Sequence, residues 1–257
     1  MPRESWSNQV SRVVANTETL LSLLAEHDAL GTFFVLGWVA DRHPDLVRRI
    51  ASLGHEVASH SWWHQRVHTL DQAAFREEAR RSKGTLEDLV GEPVIGFRAP
   101  SFSIVPGFEW AFDVLAAEGY RYDSSVFPIR RPGYGYPGAP LGHHRLTTGS
   151  GPLIELPMAT YRLGPVVLPA AGGGYLRQLP AAPIPSHPPP GRSTSRAGHV
   201  LHPSVGDRRR PAARIRVGPL TRHGTIAESR ERTLPRLRKL CAGSVPRCEH
   251  GSDAQAT

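Results

Sequence analysis

Val10, Val13, Val14, Thr17, Leu20, Leu21 and Leu24 recur at helical spacing and predict an amphipathic helix over roughly residues 9–27, closed by Gly31. Thr32-Phe33-Phe34-Val35-Leu36 then runs without a charge, the pattern of a strand buried on both faces. Pro44 suits the first turn of a second helix, with Leu46, Val47, Ile50 and Leu53 as its apolar face and Gly54 at its end. A strand over 55–59 follows. Thr69-Leu70-Asp71-Gln72 has the form of a capping box, opening a helix that reaches about Val90 with a break near Gly84. A strand over 94–98, a helix over 107–118 closed by Gly119 and an extended segment over 120–123 come next. A Gly- and Pro-rich loop over 130–151 then leads to apolar runs at 153–156 and 166–168.

Helix and strand alternating at this spacing predict an α/β fold with a parallel sheet, either a barrel or a doubly wound layer. Three polar clusters decide between them: His60-Ser61-Trp62-Trp63-His64, Arg98-Ala99-Pro100 and Asp123-Ser124-Ser125 each directly follow a predicted strand. In a (β/α) barrel the strand C-termini converge on one face, so the clusters would share a pocket. A doubly wound sheet gathers fewer of them at its switch point.

Composition divides the chain. No Phe, Trp or Tyr occurs after Tyr175, and residues 176–257 carry 14 Arg, one Lys and five acids, a net +10 that leaves the first 175 residues near −2. The basicity thus belongs to a Pro- and Arg-rich tail poorly equipped to build a core, and no nucleic-acid partner is expected. A DNA-binding protein would instead show salt-dependent affinity located in residues 180–257. Cys241 and Cys248 fit neither a redox pair nor a zinc knuckle. With no apolar run of spanning length and no charged-then-apolar opening, the chain as given reads as a soluble, cytoplasmic protein.

His60 and His64 are imidazole donors four residues apart, able to reach one ion from a single turn, and zinc is the usual choice for such ligands. Histidines at this spacing are also common on surfaces and in satisfied cores; their place after a buried strand, beside Arg98 and Asp123, favours a metal.

In order and spacing, Ser59-His60-Ser61-Trp62-Trp63-His64, Gly96-Phe97-Arg98-Ala99-Pro100 and Tyr122-Asp123-Ser124-Ser125 resemble the second, third and fourth motifs of the polysaccharide deacetylases that share the NodB homology domain. The likeness spans about residues 5–179 and is nearest to the subgroup found with exopolysaccharide and exosortase gene clusters. It implies a distorted (β/α) barrel that removes acetyl groups from an N-acetylated polysaccharide. A divalent metal, usually zinc, is then held by one Asp and two His, the latter matching His60 and His64. Arg98 would orient the catalytic base and Asp123 would support the site. Leu201-His202-Pro203 matches the letters of the segment carrying the acid His, although the residues after it do not match. Trp62 and Trp63 are candidates for stacking on sugar rings at the pocket rim.

The family's Asp ligand and Asp base come from a first strand ahead of the first helix. Here only Met1 to Asn8 stand there, without an Asp, and Asp28 and Asp41 read as solvent-facing residues. The expectation is an incomplete barrel with impaired activity, or a non-catalytic remnant that still binds glycans. The organisation expected is a deacetylase-like domain over 1–179 and a low-order tail over 180–257. That tail is either a genuine disordered segment or a frameshift near 178–180 with a brief return over 232–240.

Overall fold

The computed structural model describes residues 11–131 and 134–169, the backbone of 214–217, and residues 235, 237 and 238. His202, both cysteines and the expected boundary at 179/180 lie outside the described residues.

The predicted alternation is present. α1 (Val13–Glu26) leads to β1 (Leu30–Val35), α2 (Gly37–Arg42) and α3 (Pro44–Ser52) to β2 (Glu56–Ser59), α4 (Gln72–Val90) to β3 (Gly96–Phe97), and α5 (Trp110–Ala117) to β4 (Tyr122–Asp123). The segment read as a long loop contains β5 (His144–Thr148), which turns into β6 (Gly151–Glu155), and a hairpin of β7 (Thr160–Leu163) and β8 (Val166–Pro169) follows. β9 (Arg214–Val217) comes from the basic tail.

Seven strands make one sheet in the order β5-β6-β4-β3-β2-β1-β9, parallel at every pair except β5 with β6. The fold is therefore α/β, an arc of the expected barrel whose edge strands β5 and β9 are not joined among the described residues. Pairing of Leu30 with Arg214 through Phe33 with Val217 gives β1 a neighbour on the side away from β2, so its edge is covered.

Side chains alternate across the sheet. Phe33, Val35, Val57, Phe97 and Leu153 join the helices in the main core, while Phe34, Ala58, Tyr122 and Leu156 form a smaller cluster on the other face. α4 supplies much of the helix layer through Phe75, Ala79 and Leu86, and Phe75 meets Phe97 edge-on at 5.7 Å. Burying each such side chain contributes about 1.5–3 kcal/mol.

Two local expectations need correction. α4 is capped by Asp71, whose carboxylate accepts the Ala74 amide at 2.7 Å, rather than from Thr69. Nor does Gly84 break it: nothing lies within 4 Å of a Cβ built there, and the helix runs on to Gly91, which ends it at φ 72°. A glycine's cost of about 1 kcal/mol is small against the packing of a 19-residue helix. No helix among the described residues is long and apolar enough to cross a membrane.

Gly37 opens α2 directly against Trp62, and a Cβ there would collide with the indole Cε3. Gly37→Ala is expected to cost about 1–3 kcal/mol by overpacking. Urea unfolding measures it, and an unchanged midpoint would show that the indole can move aside.

Candidate functional site

The polypeptide leaves β2 through a loop pinned to its neighbours. The His60 amide donates to Val35 O, and the Gly37 and Trp38 amides at the start of α2 donate to Ser61 O and Trp62 O at 3.0 and 3.3 Å. Two residues of the loop, Ser61 (φ 67°) and His64 (φ 59°), hold the left-handed conformation, as do Ser101 and Phe102 after β3. Four of the five non-glycine residues with positive φ among the described residues thus cluster at the C-terminal ends of two adjacent strands, where strain is characteristic of a functional site.

His60 is buried, and its Nδ1 lies 2.6 Å from the carbonyl oxygen of Arg98. A carbonyl can only accept, so Nδ1 carries the proton and Nε2 presents its lone pair. That Nε2 is buried without a hydrogen-bond partner among the described residues. The His64 ring stands edge-on to it, centroids 5.1 Å apart. Burial first, then His64, holds the His60 pKa well below the usual imidazole range and keeps the ring neutral. A neutral imidazole oriented by its far nitrogen, with the near one unsatisfied, fits a divalent ion.

Arg98 leaves β3 toward the same side as Phe34, its guanidinium carbon 4.0 Å from the Phe34 ring centroid. Its Nε donates to Ser124 O at 3.1 Å and its Nη2 to Ser124 Oγ at 2.8 Å, and Ser124 Oγ in turn donates to Leu156 O. Arg98 is only 2% exposed, so it acts as a rigid cation tying β3, β4 and the end of β6 together.

Asp123 lies elsewhere. It stands in register with Phe97 and Glu155, on the helix side of the sheet and opposite to Arg98. Its carboxylate accepts from Ser125 N and Ser125 Oγ, at 2.9 and 2.6 Å, and Ser125 Oγ accepts the Ala99 amide at 2.7 Å. Beside it Glu155, fully buried, accepts the Val126 amide through Oε1. Burial raises both carboxyl pKa values, and the neighbouring Asp123 adds to the rise at Glu155, whereas Arg98 opposes it. The two acids hold the 99–100 and 124–126 turns from beneath the site, Asp123 through Ser125 and Glu155 through the Val126 amide.

The two tryptophans separate. Trp62 is 3% exposed, wedged on Gly37 with the Arg81 guanidinium 3.7 Å above its ring, which leaves it no face for a sugar. Trp63 is half-buried beside it. Asp28 and Asp41 are exposed, as expected. Among the described residues no group of three His, Cys, Asp or Glu gathers around one point, so an ion at His60 and His64 needs donors beyond them.

Sequence reading overlooked Glu155 and Glu78. Each had a signal: Glu155 interrupts the apolar run Leu153-Ile154-Glu155-Leu156, and Glu78 falls at the spacing of the buried face of α4.

The family model described as polysaccharide deacetylase matches residues 9–111, and one described as a domain of unknown function, DUF3473, matches residues 124–243. A chitooligosaccharide deacetylase of Rhizobium leguminosarum bv. trifolii is 44% identical over 66 residues, 26% of this chain and 31% of that protein. A peptidoglycan-N-acetylglucosamine deacetylase of Bacillus cereus is 24% identical over 145 residues, 52% of each. Among solved structures, a family 4 carbohydrate esterase from Streptomyces lividans in complex with acetate aligns with a TM-score of 0.39 at 28% identity, over 42% of this chain and 54% of that one. The chain spans about half or less of the length of these relatives.

Proposed function

We propose, on the match of residues 9–111 to the polysaccharide deacetylase family model, that this chain hydrolyses the N-acetyl groups of an N-acetylated polysaccharide, of the exopolysaccharide class, with a divalent metal held by His60 and His64. The observation that carries this reading is the buried, neutral His60 ring, whose Nδ1 is engaged by Arg98 O while Nε2 is left unsatisfied.

Zinc is the ion this donor pair suits, and when bound it supplies Lewis acidity toward an amide carbonyl and toward water. The protein's own groups set the stage. The Arg98 carbonyl fixes the tautomer of His60, and Ser124 fixes the Arg98 side chain. Asp123 and Glu155 act at one remove, through Ser125 and Val126, and the half-buried Trp63 offers an apolar edge to a sugar ring. His202 is the candidate to protonate the departing amine. In this reading residues 1–179 carry the metal-binding and positioning groups, and the stretch over 180–257 adds β9 to the sheet and contributes His202.

Acetate release from N-acetylglucosamine oligomers tests the proposal. We expect release with zinc, loss on chelation, recovery on adding zinc back, and a fall of more than about 100-fold in His60→Ala, beyond the ~10–100-fold of an outer-sphere change. Turnover indifferent to both chelator and His60→Ala would refute it. A second reading rests on the missing third ligand among the described residues: a chain that binds the same oligomers with little or no turnover. Binding without acetate release at saturating zinc would select it.

A further inference from the structure

The proposed metal site depends on a loop that cannot hold its own shape. Between the two histidines Ser61 is left-handed, and His64 is left-handed itself, conformations that side-chain-bearing residues keep only when their surroundings impose them. From one side α2 supplies part of that constraint, because its first two amides take the carbonyls of Ser61 and Trp62. What remains on the loop are its donors, the Ser61 hydroxyl and the Trp63 amide.

Both are met from the other side by one atom. Glu78 lies on the buried face of α4 between Phe75 and Leu86, where an acid is out of place by polarity, and it is only 7% exposed. Its Oε2 accepts from Ser61 Oγ and from the Trp63 amide, the latter at 3.3 Å. These two donors bracket Trp62, so a single carboxylate oxygen closes the span between His60 and His64. Building on the metal reading above, we propose that Glu78 is the positioning residue of the metal site: it sets the conformation of the His60–His64 loop, and through it the distance and attitude of the two imidazoles.

A carboxyl group offers two oxygens to these donors, whereas a glutamine amide offers one and must turn its NH2 away from both of them to serve. With alanine at 78 the Ser61 hydroxyl and Trp63 amide lose their buried acceptor, and the left-handed residues lose their outer anchor.

The test uses the full chain and zinc itself. Zinc affinity is measured by competition with a chromophoric chelator, and amide hydrogen exchange at Trp63 is followed in the metal-free protein. Glu78→Ala is expected to weaken zinc binding by about 10–100-fold and to speed exchange at Trp63, with Glu78→Gln between it and the parent. Leu86→Ala, which empties the same helix face about two turns away, serves as the control for general destabilisation. It is expected to lower the melting temperature and leave zinc affinity unchanged. Parental affinity and parental Trp63 exchange in Glu78→Ala would overturn the proposal, as would an equal loss of affinity in Leu86→Ala. Should Glu78→Ala fail to fold, Ser61→Ala removes one of the two contacts and is read the same way. If the parent takes up no zinc and His60→Ala changes nothing, the metal reading fails by itself. Trp63 exchange then decides whether Glu78 shapes the loop, with unchanged exchange overturning that too.

Discussion

Arg98→Ala is expected to lower stability by about 3–5 kcal/mol, the range seen when a large buried side chain is truncated or one partner of a buried charged network is lost. The size follows from what the side chain does. Arg98 is the largest of the fully buried side chains, so its removal opens a cavity at the C-terminal end of the sheet. It also strips donors from Ser124 O and Ser124 Oγ and uncovers the face of Phe34. The cation that partly offsets the buried negative charge near Glu155 goes with it. Arg98→Met keeps most of the volume and the contact with Phe34 but none of the hydrogen bonds, so it should recover about half of the loss. Urea unfolding of the three proteins measures both effects. A midpoint in Arg98→Ala within error of the parent would mean that the residue is not part of the fold's frame.

The same residue shows how far sequence carried the fold. Alternation of apolar runs located β1 to β4 and the helices between them, because each strand of a parallel sheet covered by helices is apolar along its length. β1 is buried at five consecutive positions, which is the pattern its sequence showed. Shorter elements escaped. α2 has six residues, too few for a helical period to be read, and β5 lies among glycines and prolines and pairs only because β6 turns back on it. The capping box was displaced by two residues for a simple reason: Asp71 reaches the Ala74 amide, which a cap at Thr69 would not.

For the site, sequence placed the polar clusters at strand ends and paired His60 with His64, but it could not assign sides. Asp123 and Arg98 are both in motifs that follow strands, yet the register puts Asp123 with Phe97 and Arg98 one residue further, so their side chains leave on opposite faces. Trp62 and Trp63 are neighbours of the same type, and only the close approach of Gly37 and Arg81 decides that Trp62 is packing. Glu78 and Glu155 were hidden for another reason. An acid at a core position is read as an exposed residue unless its partners are known, and those partners, Ser61, Trp63, Val126 and Asp123, are 15 to 32 residues away or more precisely set by tertiary pairing than by any local pattern.

The Asp123 and Glu155 pair supplies the second large effect. Asp123→Ala removes the carboxylate that accepts from Ser125 N and Ser125 Oγ and breaks the chain from the Ala99 amide through Ser125 Oγ, so two buried donors lose their acceptor at about 1–3 kcal/mol each. The pair also makes stability depend on pH. Because burial and mutual repulsion raise Glu155 above the usual glutamate range, the folded protein binds a proton that the unfolded chain releases. Stability from this source is complete at acid pH, below the unfolded glutamate pKa, and is lost as pH rises through the folded value. Glu155→Gln removes the titration while keeping the shape and an oxygen for the Val126 amide. It is therefore expected to be less pH-sensitive than the parent and to gain on it as pH rises from 5 to 8, whereas Asp123→Ala is weakened throughout that range. Unfolding midpoints of the three proteins at several pH values check this. Parallel profiles for the parent and Glu155→Gln would mean that Glu155 is not held above the usual glutamate range in the folded protein.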